Sequence, residues 1–351
     1  IARVGESGVH LVATWELIDA ALSRGRDFSA NLPGVLLRGA SGVLLIPAVQ
    51  YKLTSLLRLD TPGLVLRGEG SERSILLFDK PLRDVLGRRD SDGKSHWSWM
   101  GCLIWVGPSD RWGPDGRLAP AFNESWPVGQ QLGSVTAPAR RGDVTLTLSP
   151  GSGKSLRPGQ MVMMVWHDDA NWSLLKHIAG HPRMESFDWP RGRKAHAPWR
   201  WPVRVSRVEG DRVTLHQPLR IDIRPEWKVA VHALGPVITE VGVEGLSLKM
   251  KPHRPAAHLL DVGYNGICFS KAVDCWARDV VMENVDNGVI HAAAKNTTAT
   301  GPRTTRQSPI RWSDNPDWKL DYSNVERIEP EELERRRQEF NRQKEIAKAR
   351  L

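Results

Sequence analysis

Between Asp261 and Lys295 the chain gathers side chains that can move protons and hold charge. Lysine, arginine, histidine and tyrosine can each remove a proton from a carbon next to a carboxylate. An arginine or a metal cation can then hold the enolate-like charge that develops. Lys271, Arg278, His291 and Tyr264 are of these types, and the chemistry they suit is β-elimination. Calcium is the candidate ion where a metal is used, and no residues are assigned to it. Hydrolysis would instead need two carboxylates about 5–9.5 Å apart. Asp261, Asp274 and Asp286 are available, but the sequence fixes no two of them opposite each other. His291 has a second reading as an inward-facing, hydrogen-bonded histidine, because it aligns with Phe269 in a repeat described below.

A second concentration of polar and aromatic residues lies upstream. His167, Asp168, Asp169, His177, His181, Asp188 and His196 are interleaved with Trp166, Trp172, Trp189, Trp199 and Trp201. The whole chain has 15 Trp against 3 Tyr and 6 Phe, and this excess singles out the Trp-rich stretch for attention. An indole offers a flat apolar face and one N–H donor. Clustered indoles beside His167 therefore form a candidate stacking platform, against the alternative that they fill an irregular core. His177 and His181 have the spacing of metal ligands on one helix, but Gly180 between them ends the helix, so no metal site is assigned. Gly151-Ser-Gly-Lys154 lacks the full phosphate-loop pattern.

The elements that must position these residues are repetitive. Asn265-Gly266-Ile267 recurs 22 residues later as Asn287-Gly288-Val289, and Ala272, Asp274, Cys275 and Ala277 align with Ala294, Asn296, Thr297 and Ala299. A short fixed period marks units that bury their apolar faces only by stacking. Short apolar runs separated by Asn, Gly and Asp make each unit a strand-and-turn coil, with Asn265 over Asn287 and Asp274 over Asn296 as turn ladders. Earlier runs, Val43–Ile46, Leu56–Leu59, Leu64–Leu66 and Ile75–Phe78, are near-continuous and apolar, as in buried parallel strands. Gly34–Gly39 and Gly63–Gly68 echo each other. A third copy of the 22-residue phrase, due at Pro309, is missing.

The stretch Gly42-Val-Leu-Leu-Ile-Pro-Ala-Val-Gln-Tyr51, then Leu53–Leu59, then Pro62-Gly-Leu-Val-Leu-Arg-Gly-Glu-Gly70 resembles the opening coils of the pectate-lyase-like superfamily. Val49-Gln50 departs from that pattern in one turn. The resemblance covers residues 34–78 and 237–301, and is specific for fold and weak for reaction. It implies a right-handed parallel β-helix and a secreted, periplasmic or extracellular protein. It further implies cleavage of an acidic, uronate-bearing polysaccharide by β-elimination, with a glycoside hydrolase, a non-catalytic glycan-binding or surface protein, or a truncated inactive copy as alternatives.

The expected organisation is all-β. Residues 1–79 form a cap helix, running from Leu11 to Leu22, and the first coils. Residues 80–236 form a Trp-rich insertion containing a small β-barrel-like subdomain over 133–235. Residues 237–301 resume the coils, and 302–351 form an irregular linker and a C-terminal helix from Glu329. A short helix capped at Asp169 and ended by Gly180 lies inside the insertion. The net charge of +9 suits an anionic partner but is spread over the chain, which argues against a nucleic-acid patch. No apolar run is long enough to span a bilayer. Three cysteines are too few for a disulfide framework. A monomer is expected.

Overall fold

The computed structural model describes residues 2–5, 8–11, 42–113, 117–119, 124–180, 198–254 and 256–305. The chain divides into two compact units, Ile1–Gln307 and Ser308–Leu351. The second unit, and with it the expected C-terminal helix, lies outside the described residues, as do the cap helix beyond Leu11 and the strand near Val35. The first described residues are extended: β1 (Ala2–Gly5) pairs antiparallel with β2 (Gly8–Leu11).

From Gly42 the chain lays strands alternately into two parallel sheets. β3 (Gly42–Ile46) and β4 (Gln50–Leu53) enter the first sheet and β5 (Leu57–Leu59) the second. β6 (Leu64–Gly68) and β7 (Ile75–Phe78) stack on β3 and β4. After helix α1 (Leu82–Leu86) and a small hairpin of β8 (Asp90–Ser91) and β9 (Lys94–Ser95), β10 (Ile104–Val106) stacks on β5.

The path then leaves the stack. β11 (Val128–Ser134), β12 (Thr145–Thr147), β13 (Met161–Trp166), β14 (Trp199–Glu209), β15 (Arg212–Leu215) and β16 (Ala230–Leu234) form one antiparallel sheet in the order β11-β16-β13-β14-β15-β12. A bridge between Val135 and Leu148 joins its two outer strands, closing it around a core of Val162, Met164, Trp166, Val203, Val213 and Trp227. Helix α2 (Ser173–Ala179) begins later than Asp169, because two carboxylates share the cap. Asp169 accepts from the Asn171 and Ser173 amides, and Asp168 from the Leu174 and Leu175 amides.

The stack resumes with β17 (Ile238–Thr239), β18 (Gly242–Met250), β19 (Ile267–Val273), β20 (Trp276–Glu283), β21 (Val289–Lys295), β22 (Thr298–Thr300) and β23 (Arg303–Thr305). β19 pairs with β10 across the excursion, Ile104 opposite Ile267. The 22-residue period is the vertical repeat itself: Ile267 lies opposite Val289, and Trp276 opposite Thr298. Arg303–Thr305 pairs in parallel with Val281–Glu283, so the first sheet runs past the end expected at residue 301. This polar strand is held through its backbone, which hydrophobic pattern does not reveal.

The repeated phrase has a steric cause. A Cβ on Gly266 would lie 2.5 Å from both the Gly288 carbonyl oxygen and the Met282 sulfur. Asn265 is fully buried. Its amide donates to the carbonyls of Trp97 (2.7 Å) and Gly101 (2.9 Å), and its oxygen accepts from Asn287 Nδ2 at 2.9 Å. Asn296 Nδ2 donates to Asp274 Oδ1 at 2.9 Å, and both residues adopt positive φ, as asparagine and aspartate do at tight turns. The expected ladders are therefore present as hydrogen bonds. All three cysteines are free and buried.

Candidate functional site

The seven side chains that the sequence singles out for chemistry do not converge, and Asp274 is held in its turn by Asn296 and Arg204. His291 continues the core-facing row Leu59–Val106–Phe269, stacked on Phe269 at a centroid distance of 5.5 Å. Burial holds its imidazole below the usual pKa, and Nδ1 meets Thr297 Oγ1 at 2.8 Å. It lies in the row above Phe269, but β21 ends this sheet among the described residues and His291 is exposed there, away from the other candidates. Tyr264 is buried, and its hydroxyl donates to the Asp79 carbonyl at 3.0 Å. Burial, with the nearby charges of Asp84, Asp79 and Asp286, pushes its pKa up to about 12, so it stays a phenol.

Asp286 is committed to the backbone: Oδ2 accepts from the Gly263 and Tyr264 amides, and Oδ1 meets His253 Nε2 at 2.8 Å. Asp261 sits in the same turn, with its amide on Ser98 Oγ and its carbonyl on Ser95 Oγ. Arg278 lies on the outside of the first sheet in a ladder with Glu244 and Arg67. Glu244 accepts from Trp276 Nε1 (2.6 Å), Arg278 Nη2 (2.7 Å) and Arg67 Nε (2.7 Å). Burial works to raise the Glu244 pKa, but these bonds and charges overcome it and hold the carboxylate below its ordinary range.

Lys271 is the member with a reactive neighbourhood. It sits at a positive-φ bend of β19, its side chain 12% exposed, with Nζ 4.0 Å from Asp110 Oδ2. Beside it the chain leaving β10 folds back in a short turn, Ser109–Arg111. Arg111 is 2% exposed; Nε donates to the Pro108 carbonyl (3.1 Å), Nη2 to the Ser270 carbonyl (2.9 Å), and the guanidinium lies 5.4 Å over the Trp105 ring. A Cβ at Gly107 would come within 2.1 Å of Arg111 Nη2, so a side chain there would displace the guanidinium. Glu124 closes the group by accepting from Ser270 Oγ. Its other oxygen is buried with no partner among the described residues. Burial raises the Glu124 pKa, opposed by the Ser270 hydrogen bond and by the charges of Arg111 and Lys271. Burial likewise lowers the pKa of Arg111, opposed by Glu124 and other nearby groups.

A buried carboxyl that keeps its proton to higher pH can serve as an acid, and two cations beside it can neutralise a developing negative charge. Trp112 packs edge-on against Trp105 at 5.5 Å, with Arg58 4.9 Å over its ring, so the group has an aromatic flank. Sequence reasoning missed Arg111, Asp110 and Glu124 because they sit between β10 and β11, in the part of the insertion before the barrel, where no periodicity assigns a side.

The tryptophan platform contracts. Trp166 is fully buried in the barrel core, with Nε1 donating to the Asp222 carbonyl at 3.0 Å, and Trp201 is also buried. Neither offers a face to solvent as the sequence suggested. Trp199 is 48% exposed, Trp172 is half-buried at a positive φ, and His167 is exposed. Trp189 and His181 lie outside the described residues. His177 stands 3.5 Å from Asp222 Oδ2. Among the described residues no group of three or more His, Cys, Asp or Glu could hold a metal ion.

No family model matches the chain, and no curated protein matches it. Three solved structures similar to it are bacteriophage tailspikes. The tailspike gp49 of Pseudomonas phage LKA1 is 13% identical, with TM-score 0.37, over 82% of this chain and 39% of that one. The Gp54 tailspike of Acinetobacter baumannii bacteriophage AP22, solved with an A. baumannii capsular saccharide, is 11% identical with TM-score 0.40, over 82% and 46%. The tailspike gp61 of Pseudomonas phage phi297 is 14% identical with TM-score 0.35, over 82% and 44%. The chain thus spans less than half the length of each.

Proposed function

We propose that this protein is an extracellular, polysaccharide-binding right-handed parallel β-helix that cleaves an acidic glycan by β-elimination on the outside of its second sheet. The observation that carries the reading is the Lys271, Arg111 and Glu124 group with Asp110 at its edge: cations and a raised-pKa carboxyl gathered outside stacked strands. The resemblance of the opening coils to pectate-lyase-like proteins and the net charge of +9 support the substrate class.

In this reading Lys271 takes the proton next to the uronate carboxylate. The electrons of the C–H bond pass first into the adjoining carboxylate, then form the C=C bond as the bond to the leaving oxygen breaks, and protonated Glu124 gives that oxygen its proton. The nearby charge of Arg111 offsets the enolate-like charge between these events. Trp199, Trp172 and His167, on the barrel, are the remaining candidates for packing against sugar rings.

One observation favours a second reading, hydrolysis. Glu124 has the raised pKa of a general acid, and Asp110 is a more exposed carboxylate across Lys271. Incubation with a panel of uronate polymers separates the two. Elimination gives an unsaturated, ultraviolet-absorbing product. New reducing ends without that absorbance would establish hydrolysis, and binding without either product would leave a glycan-binding protein.

A further inference from the structure

Lys295 ends β21, on the outer row of the second sheet where the closed barrel leans on the coils. Its Nζ donates to the side-chain oxygen of Gln217 at 2.5 Å and lies 5.4 Å over the Trp201 ring, both barrel residues. Asp274, the nearest carboxylate identified, is already engaged: Oδ2 pairs with Arg204 Nη2 at 2.5 Å, and Oδ1 accepts from Asn296. Lys295, Arg204 and Arg220 thus face one carboxylate, and the hydrogen-bond acceptor the structure gives Lys295 is a neutral amide.

A partly buried ammonium against a neutral amide is poorly compensated. Burial, reinforced by Arg220 and opposed by Asp274, lowers the Lys295 pKa to about 8. Trp201 Nε1, on the ring beneath Lys295, is a further buried donor with no acceptor among the described residues. Buried donors in folded proteins are ordinarily satisfied, so among the described residues the junction has more donors than anionic oxygen.

Its position relates it to the candidate site. Ser270 and Ala272 lie opposite Ala292 and Ala294, which sets Lys271 opposite Ala293. Lys295 is therefore one coil away and two residues further along the strand direction. With strands about 4.8 Å apart and a rise of about 3.3 Å per residue, the backbones of the two lysines are about 8 Å apart.

We propose that the Lys295 crevice is a carboxylate-binding subsite, taking an acidic sugar close along the glycan to the one at Lys271. This rests on the acidic-polysaccharide reading above. The adjoining barrel would then form one wall of the glycan path.

The test is calorimetric titration of the full chain with galacturonate, mannuronate and glucuronate hexamers and their carboxyl-reduced counterparts. Lys295→Met should weaken binding of the acidic hexamer that the wild type prefers by about tenfold at neutral pH. It should leave the thermal midpoint close to that of the wild type, and Lys295→Arg should keep the affinity. Wild-type affinity should fall as pH rises through about 8, where Lys295 loses its proton, while Lys295→Arg holds its affinity. Wild-type binding that Lys295→Met leaves unchanged would overturn the subsite and leave the wider reading standing. A wild type that binds none of the hexamers would overturn both.

Discussion

Glu124 is a carboxyl held out of water between two cations, and the direction of its shift fixes a test. Burial raises its pKa in the folded chain, so the protonated form is the one the fold favours. Its contribution to stability is complete below the unfolded value, about 4.3, and is lost as pH rises through the folded value. Glu124→Gln mimics the protonated form and removes that loss. Melting curves across acid to neutral pH should show the variant gaining on the wild type as pH rises, and parallel curves would contradict the assignment. Lys271 and Arg278 make a sharper pair, because both are basic and only Lys271 sits beside Glu124. Lys271→Met should lower kcat on uronate polymers on the order of a hundredfold or more. Arg278→Gln, on the outside of the other sheet beside Glu244, should leave kcat near the wild-type value. Equal losses in the two would move the chemistry away from the second sheet.

At the scale of the coil, Asn265 binds one turn to the next. Its fully buried amide serves two or three carbonyls and its oxygen serves Asn287, so Asn265→Ala strands several buried groups at once. A loss of about 2–4 kcal/mol is expected from denaturant unfolding, whereas a loss below about 0.5 kcal/mol would mean the ladder contributes little. These residues were legible in the sequence because vertical neighbours in a stack must match: Gly266 and Gly288 leave no room for a side chain, and Asn265 and Asn287 bond directly. Parallel, mostly buried strands were legible from the same short apolar runs. His291 was not, since alternation leaves its side open until the row Leu59–Val106–Phe269 is known. Trp166 and Trp199 have the same chemistry in the sequence and lie directly opposite each other, so they share a face; Trp199 is exposed at the first residue of its strand, which no sequence pattern marks. Arg111 and Glu124 escaped because an irregular segment carries no period. What brings them to Ser270 is tertiary packing across 159 and 146 residues.

For the molecule as a whole, the two parallel sheets, the closed barrel and the basic net charge supply an outer face on which cations recur from coil to coil. The Arg67–Glu244–Arg278 ladder lies outside the first sheet, and Lys271 and Lys295 lie outside the second. Both faces are basic, but only the second adds a proton-holding carboxyl to its cations, and this is why the account puts cleavage there. Because the first face is the natural competitor, locating a bound glycan decides between them. The most direct measurement is a crystal structure of the Glu124→Gln variant, which lacks the proposed acid, with a uronate hexamer bound. An acidic sugar is expected against Lys271 on the outside of the second sheet. A hexamer ordered instead along Arg67 and Arg278, with the Lys271 group untouched, would contradict it.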